Sequence, residues 1–119
     1  MDGALTILPR MTPQVMIAKL YALEGQEQTA HAILKEAQTS THNEAGCRLY
    51  ALHLDAADPR SFVMIEIWDD DAAFESHITS PHVQALIGKS EGVFTGPPEI
   101  QRLNALPFGH PVKGAVKGD

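Results

Sequence analysis

The stretch that decides the fold reads Glu44-Ala45-Gly46-Cys47-Arg48-Leu49-Tyr50, then Asp58-Pro59-Arg60, then Glu66-Ile67-Trp68-Asp69, and ends at His77. An acid and a glycine make a turn that opens one strand, and Asp-Pro makes the tight connection that opens the next. Side chains alternate along a strand, so in residues 61–68 Phe62, Met64, Glu66 and Trp68 share one face, and Val63, Ile65 and Ile67 the other. A carboxylate, the chain's one tryptophan and an imidazole thus fall on adjoining elements.

Upstream, residues 47–55 alternate Cys47, Leu49, Ala51 and His53 against Arg48, Tyr50, Leu52 and Leu54, a strand pattern. A helix is expected over about 26–41, where Ala30, Ile33, Leu34, Ala37 and Thr41 fall at helical spacing. Residues 14–23 are rich in strand formers and apolar on both faces, which predicts a central strand. Pro9 and Pro13 break any regular element before it, so residues 1–13 read as an arm.

Downstream, Asp69-Asp70-Asp71 supplies an N-cap and acids for a helix start. Phe74, His77 and Ile78 share the inner face of that helix, which runs to about Thr79. Ser80-Pro81 opens a second, short helix with Val83, Leu86 and Ile87 on its buried side. A loop over 88–98 leads to a last strand, 99–106, and a tail rich in glycine and proline occupies 107–119. The order β-α-β-β-α-α-β over 14–106 predicts one α+β domain, a ferredoxin-like sandwich with a four-stranded antiparallel sheet. Helices then cover one sheet face. The other stays apolar, which is rare on a monomer and predicts a homodimer.

With 119 residues, 44% hydrophobic and 20% charged, the chain has the composition of a single globular domain. A net charge of −6 with no basic stripe argues against nucleic acid as a partner. No apolar run approaches transmembrane length and no amphipathic basic helix suggests a membrane surface. The start of the chain lacks a signal-peptide pattern, so a cytoplasmic protein is expected. The single cysteine, Cys47, excludes an internal disulfide and a cysteine-rich zinc site. His77 and His82 miss the i, i+4 spacing of a helical zinc pair, and Pro81 separates them, so no metal is assigned. No G-x-G-x-x-G or P-loop pattern is present, and no cofactor is assigned.

Val15-Met16-Ile17, Gly25, Glu44-x-Gly46-Cys47-x-x-Tyr50, Asp58-Pro59, Glu66-x-Trp68-Asp69, and His77 followed by His82 together resemble the antibiotic biosynthesis monooxygenase domain family. The resemblance covers about residues 14–106 and looks closest to the small stand-alone members known as quinol monooxygenases. It implies a dimeric α/β barrel and, for some members, oxidation of phenols or quinols by molecular oxygen without flavin, haem or metal. Other members degrade haem, using an Asn on strand one, a Trp near position 77 and a haem-ligating His near position 87. This chain has no Asn on strand one, His77 and Ile87, and haem needs an axial ligand, so haem degradation does not fit.

The expected function is therefore monooxygenation of a small phenol or quinol. A non-oxidative isomerase or lyase, or a non-catalytic small-ligand module, is the alternative. His77 is the expected base, because an imidazole titrates near neutral pH. Glu66, an acid in an apolar strand, is expected to orient it or to pair with Arg48 or Arg102. Trp68, Phe74 and Tyr50 are expected to line an aromatic pocket. His53, one strand away, is a further lining candidate. Spacing leaves open whether the face carrying Glu66 and Trp68 meets the helices or a second subunit.

Overall fold

The computed structural model describes residues 12–117. The arm expected over 1–13 lies outside them, apart from Thr12 and Pro13. The elements are β1 (Gln14–Tyr21), α1 (Glu27–Thr41), β2 (Cys47–Leu54), β3 (Ser61–Trp68), α2 (Asp71–Ile78), α3 (Pro81–Lys89) and β4 (Glu99–Leu103). They form one four-stranded antiparallel sheet in the order β2-β3-β1-β4, the ferredoxin-like arrangement. β1 is a central strand, as its two apolar faces predict, and pairs with β3 along its whole length.

Two expected boundaries shift. β1 stops at Tyr21, and Ala22 instead bridges Phe94 in the loop after α3. β4 ends at Leu103, four residues before Pro107, because its pairing with β1 runs only from Glu99 to Leu103. Gly25, at φ +85°, turns the chain into α1 in the left-handed region that glycine tolerates. Asp70 caps α2, its carboxylate accepting from the Ala73 N–H at 2.8 Å, and Ser80 caps α3 with Pro81 at its first turn.

The register settles the open question of faces. Met16 pairs with Glu66, and Tyr50 with Glu66, so these side chains project to one side. On that side, Met16, Ala18, Tyr50, Met64, Trp68 and Phe74 form one core cluster under α2. Leu20, Ala22, Ala30, Leu34, Phe62, Val93 and Phe94 form a second under α1. The helices therefore cover the face that bears Glu66 and Trp68. The opposite face carries Val15, Ile17, Leu49, Val63 and Ile65, all half-buried and without a helix over them.

A register shift between Cys47 and Leu49 changes one assignment. Arg48 is the extra residue, so Cys47 joins Trp68 on the helix side rather than following Leu49 to the open side. Gly46, just before it, lies against α2: a Cβ there would sit 2.4 Å from the Ala73 Cβ. α3 buries less than its pattern predicts. Val83 and Leu86 are half-buried, and Ile87 is exposed rather than packed.

Candidate active site

Three elements bring the site together. The turn after α1 carries Glu44, the last turn of α2 carries His77, and the first turn of α3 carries His82. His77 Nδ1 lies 2.7 Å from Glu44 Oε2, and His82 Nε2 lies 2.6 Å from the same oxygen. An ionised carboxylate only accepts, so both imidazoles donate N–H to that oxygen. His77 in its neutral form then carries its free lone pair on Nε2. Glu44 is held by its place in the tight turn, where its N–H donates to the Thr41 carbonyl at 3.0 Å and its carbonyl accepts from Cys47 N at 3.1 Å.

Aromatic rings enclose the other side of His77. The Trp68 ring centroid is 4.5 Å from the imidazole, Tyr50 is at 5.3 Å and Phe74 at 6.3 Å. Arg102, from β4, lies 4.8 Å above the Phe74 ring and adds a cation–π contact. Trp68 is fully buried, and its indole N–H donates to Glu66 Oε1 at 2.9 Å. The site thus has two carboxylates with separate duties: Glu44 on His77, Glu66 on Trp68.

Their electrostatics differ accordingly. Burial pushes the Glu66 carboxyl up to about 7, against the Trp68 hydrogen bond, and the charge of Glu44 adds to the rise. Burial lowers the His77 pKa, while the hydrogen bond and charge of Glu44 work the other way and His82 adds to the lowering. Tyr50 is raised, first by burial and then by Glu66.

The sequence candidates sort as follows. His77, Glu66, Trp68, Phe74 and Tyr50 meet in one buried cluster. His53 does not join it: it pairs with Val63 on the opposite side of the sheet, is exposed, and contacts the Ala51 carbonyl at 3.1 Å. Glu66 makes no ion pair with the arginines considered for it; Arg48 pairs with Asp69 at 2.6 Å and Arg102 reaches Asp71 at 3.7 Å. The sequence reading gives Glu66 the task of orienting His77, but the carboxylate on His77 is Glu44. His82, given no role from its spacing, is half-buried and shares that carboxylate. The Ser80-Pro81 helix start, itself legible in the sequence, turns the chain between the two histidines and brings His82 back to Glu44. Glu44, His77 and His82 place their ligand atoms within 4.8 Å of one another, a grouping able to hold a metal ion.

A four-stranded antiparallel sheet with helices on one face and an acid–imidazole–aromatic cluster between them is a ferredoxin-like α+β domain with a built interior site. The family model for antibiotic biosynthesis monooxygenase matches residues 13–89, and the chain belongs to that family. The crystal structure of PA3566 from Pseudomonas aeruginosa is 34% identical, covers 80% of this chain and 95% of its own, and superposes with a TM-score of 0.75. Among sequence relatives, YcnE of Bacillus subtilis is 31% identical over 72 residues, 58% of this chain and 76% of its own length. The uncharacterized protein sll1783 of Synechocystis is 30% identical over 61 residues, 51% of this chain but only 42% of its own length. No helix among the described residues is long and apolar enough to cross a membrane.

Proposed function

We propose that this protein is a cofactor-independent monooxygenase acting on a small phenol or quinol, as a homodimer joined through its open sheet faces. The observation that carries the reading is the buried His77 imidazole, held at Nδ1 by Glu44 at 2.7 Å and faced by Trp68 at 4.5 Å. A carboxylate on one imidazole nitrogen fixes the tautomer and leaves the other nitrogen as the base. The aromatic wall of Trp68, Phe74 and Tyr50 suits a flat, electron-rich ring. The name of the family, and the monooxygenase label that YcnE provisionally carries, point the same way.

In this reading His77 Nε2 takes the phenolic proton of a quinol. The resulting phenolate passes electron density to oxygen and forms a carbon–oxygen bond, giving a ring hydroperoxide. Loss of water from that carbon leaves a carbonyl, so quinol and one O2 give hydroxyquinone and one water, and the substrate supplies every electron. Glu66, with a carboxyl pushed up to about 7, holds a proton near neutral pH that it can lend to the departing hydroxide. Oxygen uptake by chelator-treated protein, measured across a panel of hydroquinones, tests the reading. The expected result is uptake matched by hydroxyquinone formation; a panel with no uptake removes it.

A non-catalytic ligand-binding role is the second reading, favoured by one observation: the cluster is closed off from the surface. Trp68, Phe74 and His77 are 0%, 4% and 5% exposed. A groove of about 420 Å³ lies between α1 and the edge strand β2, lined by His31, Lys35, Leu52, His53, Leu54 and Phe62 among others. Quinol binding without turnover supports this second reading.

A further inference from the structure

We propose that Glu44, His77 and His82 form a site for one divalent first-row transition-metal ion, with zinc as its simplest occupant, and that occupancy silences His77 as a base. Two imidazoles and one carboxylate are the donor set of His₂Glu zinc sites and of two-histidine-one-carboxylate iron sites. Here the three donors come from three elements of one domain and converge with all ligand atoms within 4.8 Å. Their side chains are mostly shielded, at 15% exposure for Glu44, 6% for His77 and 23% for His82. Magnesium and calcium prefer all-oxygen shells, so nitrogen donors select against them.

The geometry needs two adjustments, the larger being that the two ring nitrogens, within 4.8 Å of one another, close by up to about 1.4 Å. Donors about 2.0–2.2 Å from a tetrahedral ion sit roughly 3.4 Å apart. The present nitrogen–oxygen separations are 2.7 and 2.6 Å, as befits hydrogen bonds. The Glu44 oxygen therefore has to withdraw from each ring by less than about 1 Å. Ligation uses the lone pairs of His77 Nδ1 and His82 Nε2, so each neutral ring moves its proton to its other nitrogen. One ligand opens to the surface: His82 lines a groove of about 270 Å³ between α1 and α3 with Ile33, Ala37 and Leu86. Ser80 Oγ, 3.3 Å from His82 Nε2, donates to the His77 carbonyl at 2.6 Å and so ties the ends of the two ligand-bearing helices together.

The silencing follows from the same proton count and rests on the reading of His77 as the base. With metal on Nδ1, Nε2 carries the ring proton and has no lone pair to accept another. Metal binding itself does not depend on that reading.

The test uses the full chain, stripped with a chelator and titrated with zinc chloride by calorimetry and with cobalt chloride by visible absorption. Expected are one ion per chain with a Kd below about 10 μM, and the d–d bands of a low-coordinate cobalt site. His82→Ala and Glu44→Gln each weaken binding by about tenfold or more, while His53→Ala, on the far side of the sheet, leaves it unchanged. Absence of stoichiometric binding, or binding indifferent to both substitutions, overturns the site; the cobalt spectrum of the unsubstituted chain decides the matter if a variant does not fold. In the oxygen-uptake assay, zinc should stop turnover and chelator restore it. Zinc that binds without stopping turnover keeps the site and overturns the silencing. Quinol turnover in a chain that binds no zinc overturns the site and keeps the base.

Discussion

Glu44 and His77 stand 33 positions apart in the chain and meet at 2.7 Å. Because the carboxylate fixes which ring nitrogen carries the proton, its loss should resemble loss of the ring itself. We expect His77→Ala and Glu44→Gln each to lower quinol oxidation by on the order of 10²–10⁴-fold, the range of a general base. Circular dichroism should show both variants folded. Unchanged turnover in His77→Ala takes the imidazole out of the mechanism.

Glu66 gives a prediction for stability. Its carboxyl titrates at about 7 in the folded chain against an ordinary value of 4.5. The folded state therefore holds the proton more tightly, and that contribution is full below the ordinary value and is lost as pH rises through about 7. Gln at this position still accepts from the Trp68 indole but carries no charge. Glu66→Gln should be more stable than the native chain at pH 8 by about 1–3 kcal/mol, with the gap closing towards pH 4.5. Urea denaturation at the two pH values measures it, and a pH-independent gap contradicts it.

The open sheet face makes a claim about assembly. Ile65, half-buried and near the middle of that face, has no helix above it. Light scattering should give the native chain twice the protomer mass, and Ile65→Lys should reduce it to one protomer while the far-ultraviolet spectrum is kept, since an unpaired ammonium does not tolerate a dry interface. A variant that stays dimeric places the interface elsewhere.

Cys47 should be a poor nucleophile. Burial, then the charges of Glu44 and Glu66, push its thiol up to about 11 from 9.0. At pH 8 roughly one thiol in a thousand is then ionised. Iodoacetamide should label the native chain far more slowly than the urea-denatured chain. Equal rates remove the shielding argument.

How much of this was legible in the sequence varied with the range of the interaction. Strand and helix order followed from local patterns: alternation over 61–68, caps at Asp70 and Ser80, and Gly25 before α1. The aromatic cluster followed too, because period-two spacing puts Glu66 and Trp68 on one face. The pairing of Glu44 with His77 did not, since a turn residue's reach depends on how close α2 comes to it. The part of His82 was hidden for a related reason. Five residues along an unbroken helix rotate a side chain by about 140°, away from its neighbour, whereas the helix start at Pro81 redirects the chain and returns it. His53 stands apart from the His77 cluster because adjacency in strand order says nothing about which side of the sheet a residue serves, and the bulge at Arg48 moved Cys47 across for the same kind of reason.

Gly46 sets the distance on which the site depends. A methyl group at that position would overlap the Ala73 Cβ at 2.4 Å, so the main chain of the turn rests directly against α2. The approach of the turn that carries Glu44 to the helix that carries His77 is thus gauged by backbone thickness. Such a contact has one setting: a side chain at position 46 pushes the turn away from α2 and moves Glu44 with it. The closeness of turn and helix therefore rests on a residue with no side chain at all.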